Sequence, residues 1–189
     1  ILSWYGSFNT VRNAFFARSE LRPGSFPAST GIGGRNPRRT ALVAGAWAVL
    51  PNSASAGVRI VPSPKQCPAS VYGSAFSRAV ELVSPFHCQL LVSGTASIEP
   101  DGGTAHAGDT RQQIELTMEI ISALLQSRGQ TFAGATRATA YFKSAADFPL
   151  FVAWCIRNGQ EELPVVSACC DICRDALLFE IELDTVSCL

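Results

Sequence analysis

The clearest periodicity in the chain lies between residues 109 and 129, where Ile114, Met118, Ile121 and Leu125 recur at i, i+4, i+7 and i+11. That spacing lines a single apolar stripe along a helix and suits packing on a sheet. Asp109 stands at the N-cap position, Gln112 completes a capping-box spacing, and Gly129 supplies the left-handed stop. A helix over 109–128 is therefore predicted. Apolar or alternating runs predict strands over 76–83, 89–98, 135–143, 165–172 and 177–186, with a second helix over 145–157. Pro149 falls in the first turn of that helix, where its missing N–H costs little. LLFEIELDTV alternates as a half-buried strand does, setting Phe179, Ile181 and Leu183 opposite Leu178, Glu180 and Glu182. The order ββαβαββ over residues 70–189 gives an α+β domain, a mixed sheet with two helices packed on one face.

Residues 1–66 have a different character. SFNTVRNAFFARSEL reads as a helix, GSFPASTGIGGRNPRR as a loop, TALVAGAWAVL (40–50) as a buried strand, and NSASAGVRIVPSPKQCP as a strand with a proline-punctuated link. This segment is expected to be an N-terminal extension integral to the domain, with the main domain over 67–189. No internal repeat is visible.

At 189 residues and 47% hydrophobic content, the chain is long enough for one domain with a continuous core. Fifteen basic residues balance fifteen acidic ones, so no overall field draws it to nucleic acid or a membrane, and a small-molecule partner is expected. No apolar run approaches the roughly 18 residues that span a bilayer, and the N-terminus lacks a basic region followed by an apolar stretch. A soluble cytoplasmic protein is the expectation. The chain opens on Ile1 rather than Met, which leaves room for a removed upstream part.

Seven cysteines, an odd number without a secretory signal, are expected to be mostly reduced thiols. Cys170 and Cys173 form a CxxC, but a zinc or redox site needs a second pair or histidines at ligand spacing, and His87 and His106 are isolated. A strand and the loop after it is the better reading, and no metal is expected. The GIGG of Gly31–Gly34 neither follows a strand nor opens a helix, so it reads as a plain turn rather than a phosphate cradle. Arg35, Arg38 and Arg39 beside it suit an anionic ligand or, more simply, a solvated loop.

The stretch LLVSGTASIEPDGGTAHAGDTRQQIELTMEIISALL (90–125) joins a strand, an SGTAS turn and the capped helix, and with FEIEL near the C-terminus it resembles the Rid (YjgF, endoribonuclease L-PSP-like) superfamily. YGSAFSRA upstream and ICRDALLFEIE downstream are similar to the chorismatase branch, as are the helix and the PAST-GIGG-like loop near the start. The resemblance implies a Rid/chorismate-mutase-like fold and a homotrimer with ligand clefts between subunits. In the Rid branch that hydrolyses enamines and imines, an arginine, a tyrosine and a glutamate form the site. Laying those motifs on this chain puts Val166 at the arginine, Phe76 at the tyrosine and Glu180 at the glutamate.

The chorismatase branch accounts for these departures. Tyr72 and Arg78 match its carboxylate-binding pair, a task suited to a bidentate guanidinium beside a phenol. Glu180 matches its catalytic acid. Cys173 matches a position where cysteine accompanies hydroxybenzoate products, and Gly94, Thr95 and Ala96 of the SGTAS turn complete the implied substrate-binding set. The implied activity is hydrolysis of the enolpyruvyl ether of chorismate, or a related small carboxylic acid, to release pyruvate. Protonation of the ether's methylene carbon by Glu180 needs no metal or organic cofactor. A non-catalytic Rid-type binding module and an enamine/imine deaminase with a rearranged site are the alternatives. The residues also allow plainer readings. Arg78 can pair with Glu81, Glu180 can be solvated, and Cys173 can be a small buried hydrophobe. Glu182 is either a surface carboxylate or a like charge that raises the pKa of Glu180.

Overall fold

The computed structural model describes residues 2–18, 26–34, 39–46, 48–52 and 55–188. Helix α1 spans Leu2–Arg18 and strand β1 Gly57–Val61. Strands β2 (Ala79–Val83) and β3 (His87–Ala96) lead into helix α2 (Thr110–Gln126). Strand β4 (Ala135–Phe142), helix α3 (Phe148–Arg157) and strands β5 (Val165–Cys169) and β6 (Phe179–Cys188) follow. The six strands form one mixed sheet in the order β1-β2-β3-β6-β4-β5, parallel at β4–β5 and antiparallel elsewhere. From β2 onward this is the predicted ββαβαββ order, and β1 adds the sixth strand at one edge.

Capping starts α2 as expected: the Asp109 carboxylate accepts from the Gln112 backbone N–H at 3.0 Å. The Gln112 side-chain amide donates back to the same carboxylate at 3.0 Å instead of bonding the cap's own N–H. Ile114, Met118, Ile121 and Leu125 are fully buried against Leu90, Val92, Ala138, Ile181 and Leu183. Each such side chain contributes about 1.5–3 kcal/mol by leaving water. Phe151 and Trp154 of α3 extend the same core, with Phe142, Phe151 and Phe179 in mutual ring contact. Phe179, Ile181 and Leu183 therefore face the helices, and strand alternation sends Glu180, Glu182 and Asp184 to the opposite face.

Buried Gln113 ties α2 to the loop before β6. Its amide nitrogen donates to Ala176 O at 2.8 Å and His106 O at 3.2 Å, and its oxygen accepts from Leu178 N at 2.8 Å. The segment 26–34 crosses the other face as a strap. Ser77 N donates to Pro27 O at 2.9 Å, and Ser29 N donates to Ser93 Oγ at 3.0 Å. Gly94 N donates to Thr30 Oγ1 at 2.9 Å, while Gly33 and Asp171 exchange backbone bonds of 2.8 and 2.7 Å.

Some expectations change. The buried strand predicted at 40–50 does not form: its described residues pair with no strand, and Leu42, Val43, Val49 and Leu50 are exposed. A short apolar run carries no period that separates a strand from a covering segment, and the sheet edge is taken by β1. Trp47 lies outside the described residues, as do Arg35, Arg38 and the last residues of the predicted first helix, Ser19–Leu21. The strand predicted from Phe76 begins at Ala79. The one predicted to reach Ile172 ends at Cys169, because Asp171 turns to bridge Gly33. Among the described residues no helix is long and apolar enough to cross a membrane.

Candidate active site

Glu180 is placed by β6 and β3 together. It stands opposite Ala96, next to a bulge between Val92 and Thr95. Gly94 makes the room: a Cβ there would collide with the Glu180 carboxyl and come within 2.8 Å of Thr30 Cγ2. The glycine of the SGTAS turn is thus required by space, since its φ is not in the left-handed range. Glu180 is 5% exposed and has no ion-pair partner among the described residues. Burial foremost, and then the like charge of Glu182, push its carboxyl up to about 8, while Arg78 pulls the other way. At neutral pH it is predominantly a carboxylic acid.

Arg78, also 5% exposed, donates from Nε and one Nη to Cys67 O at 3.1 and 2.8 Å. Its guanidinium lies 5.4 Å from the Tyr72 ring centroid and 5.5 Å from that of Phe76. The structural pairing of Arg78 with Glu81 does not occur. Glu81 is held by Arg128 at 2.9 and 2.8 Å and by Arg59 at 3.6 Å. Arg78, just before β2, lines the cavity, while Glu81 of β2 turns to Arg128 beyond the end of α2. Arg174 covers the Tyr72 ring at 4.8 Å and donates to Gly102 O at 2.7 Å. Neither Arg78 nor Arg174 has a carboxylate partner among the described residues.

Three hydroxyl or thiol groups complete the walls. Tyr72 is pushed up by burial despite the two guanidiniums on its ring. Tyr5, from α1, is likewise raised by burial, and the nearby Cys173 adds to it. Burial and the neighbouring Glu180 push the Cys173 thiol up to about 12, so it is a neutral S–H rather than a thiolate. Burial also lifts Cys170, up to about 11. Among the described residues no cluster of three or more His, Cys, Asp or Glu is placed to hold a metal ion.

Tyr72, Arg78, Gly94, Ala96, Cys173 and Glu180 line one cavity of about 210 Å³. Thr95 does not reach it. It is buried off the cavity, and its hydroxyl donates to Ser93 O at 2.9 Å. Val166 is 68% exposed on β5, away from the cavity, and Phe76 lines it as a ring without a hydroxyl. Sequence reasoning missed Tyr5, Asn9 and Arg174, which also line the cavity. Arg174 stands next to Cys173 within the ICRDALLFEIE motif and was within reach of a charge argument. Tyr5 carries no such signal, because α1 has no amphipathic pattern to show which face it buries. GIGG finds a role here as well. A Cβ at Gly31 would meet the Tyr5 ring at 3.0 Å, so that glycine makes space for a phenol.

The sheet, its two helices and the walled cavity define the class: the chain has the α+β fold of the Rid (YjgF) and chorismatase proteins. Among solved structures, a chorismatase superposes with a TM-score of 0.73 at 22% identity, over 96% of this chain and 57% of that one. RidA of an Antarctic Psychrobacter species gives a TM-score of 0.53 at 20% identity, over 67% of this chain and 98% of that one. A YjgF-family protein of Mycobacterium tuberculosis gives 0.52 at 21% identity, over 69% of this chain and all of that one (100%). In sequence, the chain is similar to 3-hydroxybenzoate synthase of Streptomyces hygroscopicus, 29% identical over 198 residues, covering 94% of this chain and 56% of that protein. It thus spans a little over half the length of that relative and of the chorismatase (56% and 57%). No family model matches the chain.

Proposed function

We propose that the cavity cleaves the enolpyruvyl ether of chorismate, or of a closely related small carboxylic acid, and releases pyruvate. The observation that carries this reading is a buried carboxylic acid, Glu180, pushed up to about 8, in a cavity that also holds two guanidiniums without carboxylate partners among the described residues. An enol ether is protonated on carbon, which calls for a buried acid at neutral pH and no thiolate or metal. Arg78 with Tyr72 takes one substrate carboxylate, and Arg174, also against the Tyr72 ring, takes a second. Both arginines are already fixed by carbonyls, so little ordering remains when the ligand binds.

Glu180 gives its proton to the methylene carbon, and the π electrons of the enol form the new C–H bond. The oxocarbenium left behind takes up water, whose proton returns to the Glu180 carboxylate. The resulting hemiketal breaks its bond to the ring oxygen, giving pyruvate and a ring diol, with one water consumed. In the alternative fate, the ring also loses a hydroxyl and a ring C–H proton, together one water, and becomes a hydroxybenzoate, so that no water is consumed overall. Cys173, a neutral thiol beside Glu180, is placed to bias this choice. The similarity to a 3-hydroxybenzoate synthase supports the second fate. A deaminase site in the usual Rid arrangement is disfavoured, since Val166 and Phe76 stand where its arginine and tyrosine would be.

Incubation with chorismate and enzymatic detection of pyruvate tests the proposal. Release by the wild-type chain, lowered about 10²–10⁴-fold in Glu180→Gln with binding kept, is expected. Binding of chorismate without any pyruvate would leave a small-molecule binding module in its place.

A further inference from the structure

On the face of the sheet opposite α2 and α3, three carboxylates stand in a row on β6, at Glu180, Glu182 and Asp184. The facing row on β4 is Tyr141, Thr139 and Arg137, paired in register with those three in that order. One guanidinium, that of Arg137, serves two of the three acids. Arg137 Nε and one Nη reach Asp184 at 2.9 and 3.1 Å, and the other Nη reaches Glu182 at 2.7 Å. The outer two carboxylates are matched, and Glu180, at the cavity end, is left out.

The groups facing Glu180 come from four sides. Arg78 approaches from the segment before β2, Cys170 and Cys173 from the loop before β6, Tyr5 from α1, and Tyr141 from β4. Burial keeps both tyrosines and both cysteines neutral near pH 7. Arg174 lies farther along the same loop and acts on Cys173. Among these, Glu182 brings the negative charge. Glu182 lies two residues on along the strand, so its Cα is about 7 Å from that of Glu180 and its side chain leaves the same side of the sheet.

We propose that Glu182, pinned by Arg137, is a positioning residue whose fixed charge holds the proton on Glu180. The inference deepens the proposed function by giving the acid its source of regulation. It also stands as a statement about a titration, whatever the substrate. Arg137 keeps Glu182 from swinging into solvent, and its own positive charge is shared with Asp184. The row therefore sets apart the acid that is to donate from the acids that are to stay charged.

The test is a direct titration of Glu180, by ¹³C NMR of labelled glutamate or by the infrared carboxylic C=O band, in the wild type, Glu182→Gln and Asp184→Asn. Loss of the Glu182 charge should lower the Glu180 midpoint by roughly one pH unit. Asp184→Asn, twice as far along the row, should move it by no more than a few tenths. Glu182→Thr, a good strand former, provides the same measurement if Glu182→Gln does not fold. In pyruvate release from chorismate, the alkaline limb should move down by the same amount, with the low-pH plateau kept. An unmoved midpoint in the Glu182 variants, or an equal shift in Asp184→Asn, overturns the proposal. A shifted midpoint in a protein that releases no pyruvate upholds the charge clamp and removes chorismate as the substrate.

Discussion

Between its ordinary value and about 8, Glu180 is ionised in the unfolded chain and protonated in the folded one. The native state then binds one more proton than the unfolded state, so stability falls as pH rises through that window. Glu180→Gln removes the penalty. Thermal melts should show the variant close to wild type at pH 5 and more stable than it at pH 8, by a few kcal/mol. A constant difference between the two proteins across that range would mean the carboxyl titrates normally. At Arg78, substitution by Ala should weaken binding of chorismate or a hydroxybenzoate by about 1.5–3 kcal/mol, measured by calorimetry, with Tyr72→Phe costing less. Unchanged affinity in Arg78→Ala would leave that arginine as a prop for Cys67 O. Most of these residues were legible in sequence because they lie in short continuous motifs, YGSAFSRA, SGTAS and ICRDALLFEIE. Thr95 was misplaced because a motif does not say which of its residues faces inward; strand alternation decides that.

Elements were legible where a period was sustained. The stripe of α2 and the alternation of β6 fixed both faces of the sheet, and hence the side on which Glu180 emerges. The 40–50 run had hydrophobicity without period and misled. Gln113 was silent for a different reason. A polar residue within an amphipathic helix looks like a solvated one until its partners, Ala176, His106 and Leu178, are in place. Since it ties α2 to the loop bearing Cys173 and Arg174, Gln113→Ala should orphan the half-buried Leu178 N–H and lower stability by about 1–3 kcal/mol in urea unfolding. Weaker ligand binding is expected with it, because the loop carrying Arg174 loses its tether. Stability equal to wild type would show that the loop holds itself.

For the whole molecule, the sheet face opposite the helices carries the Arg137 row, and Val166 stands exposed at the β5 edge. We propose, as the Rid resemblance implies, that copies of the chain associate as a homotrimer. Light scattering giving three chains is the expected result, and a stable monomer removes the assembly. The strap of residues 26–34 bears on how the gene can be cut and recombined. A boundary drawn at residue 67, where the sequence changes character, yields a fragment holding every acid and cation of the site. That fragment would nonetheless lack Thr30 on the Gly94 amide, the Gly33–Asp171 bridge and the Tyr5 phenol. Its chemistry would stand open to bulk water. A shuffled or trimmed version of this chain has to inherit the strap and the helix before it as one piece with the sheet they cover.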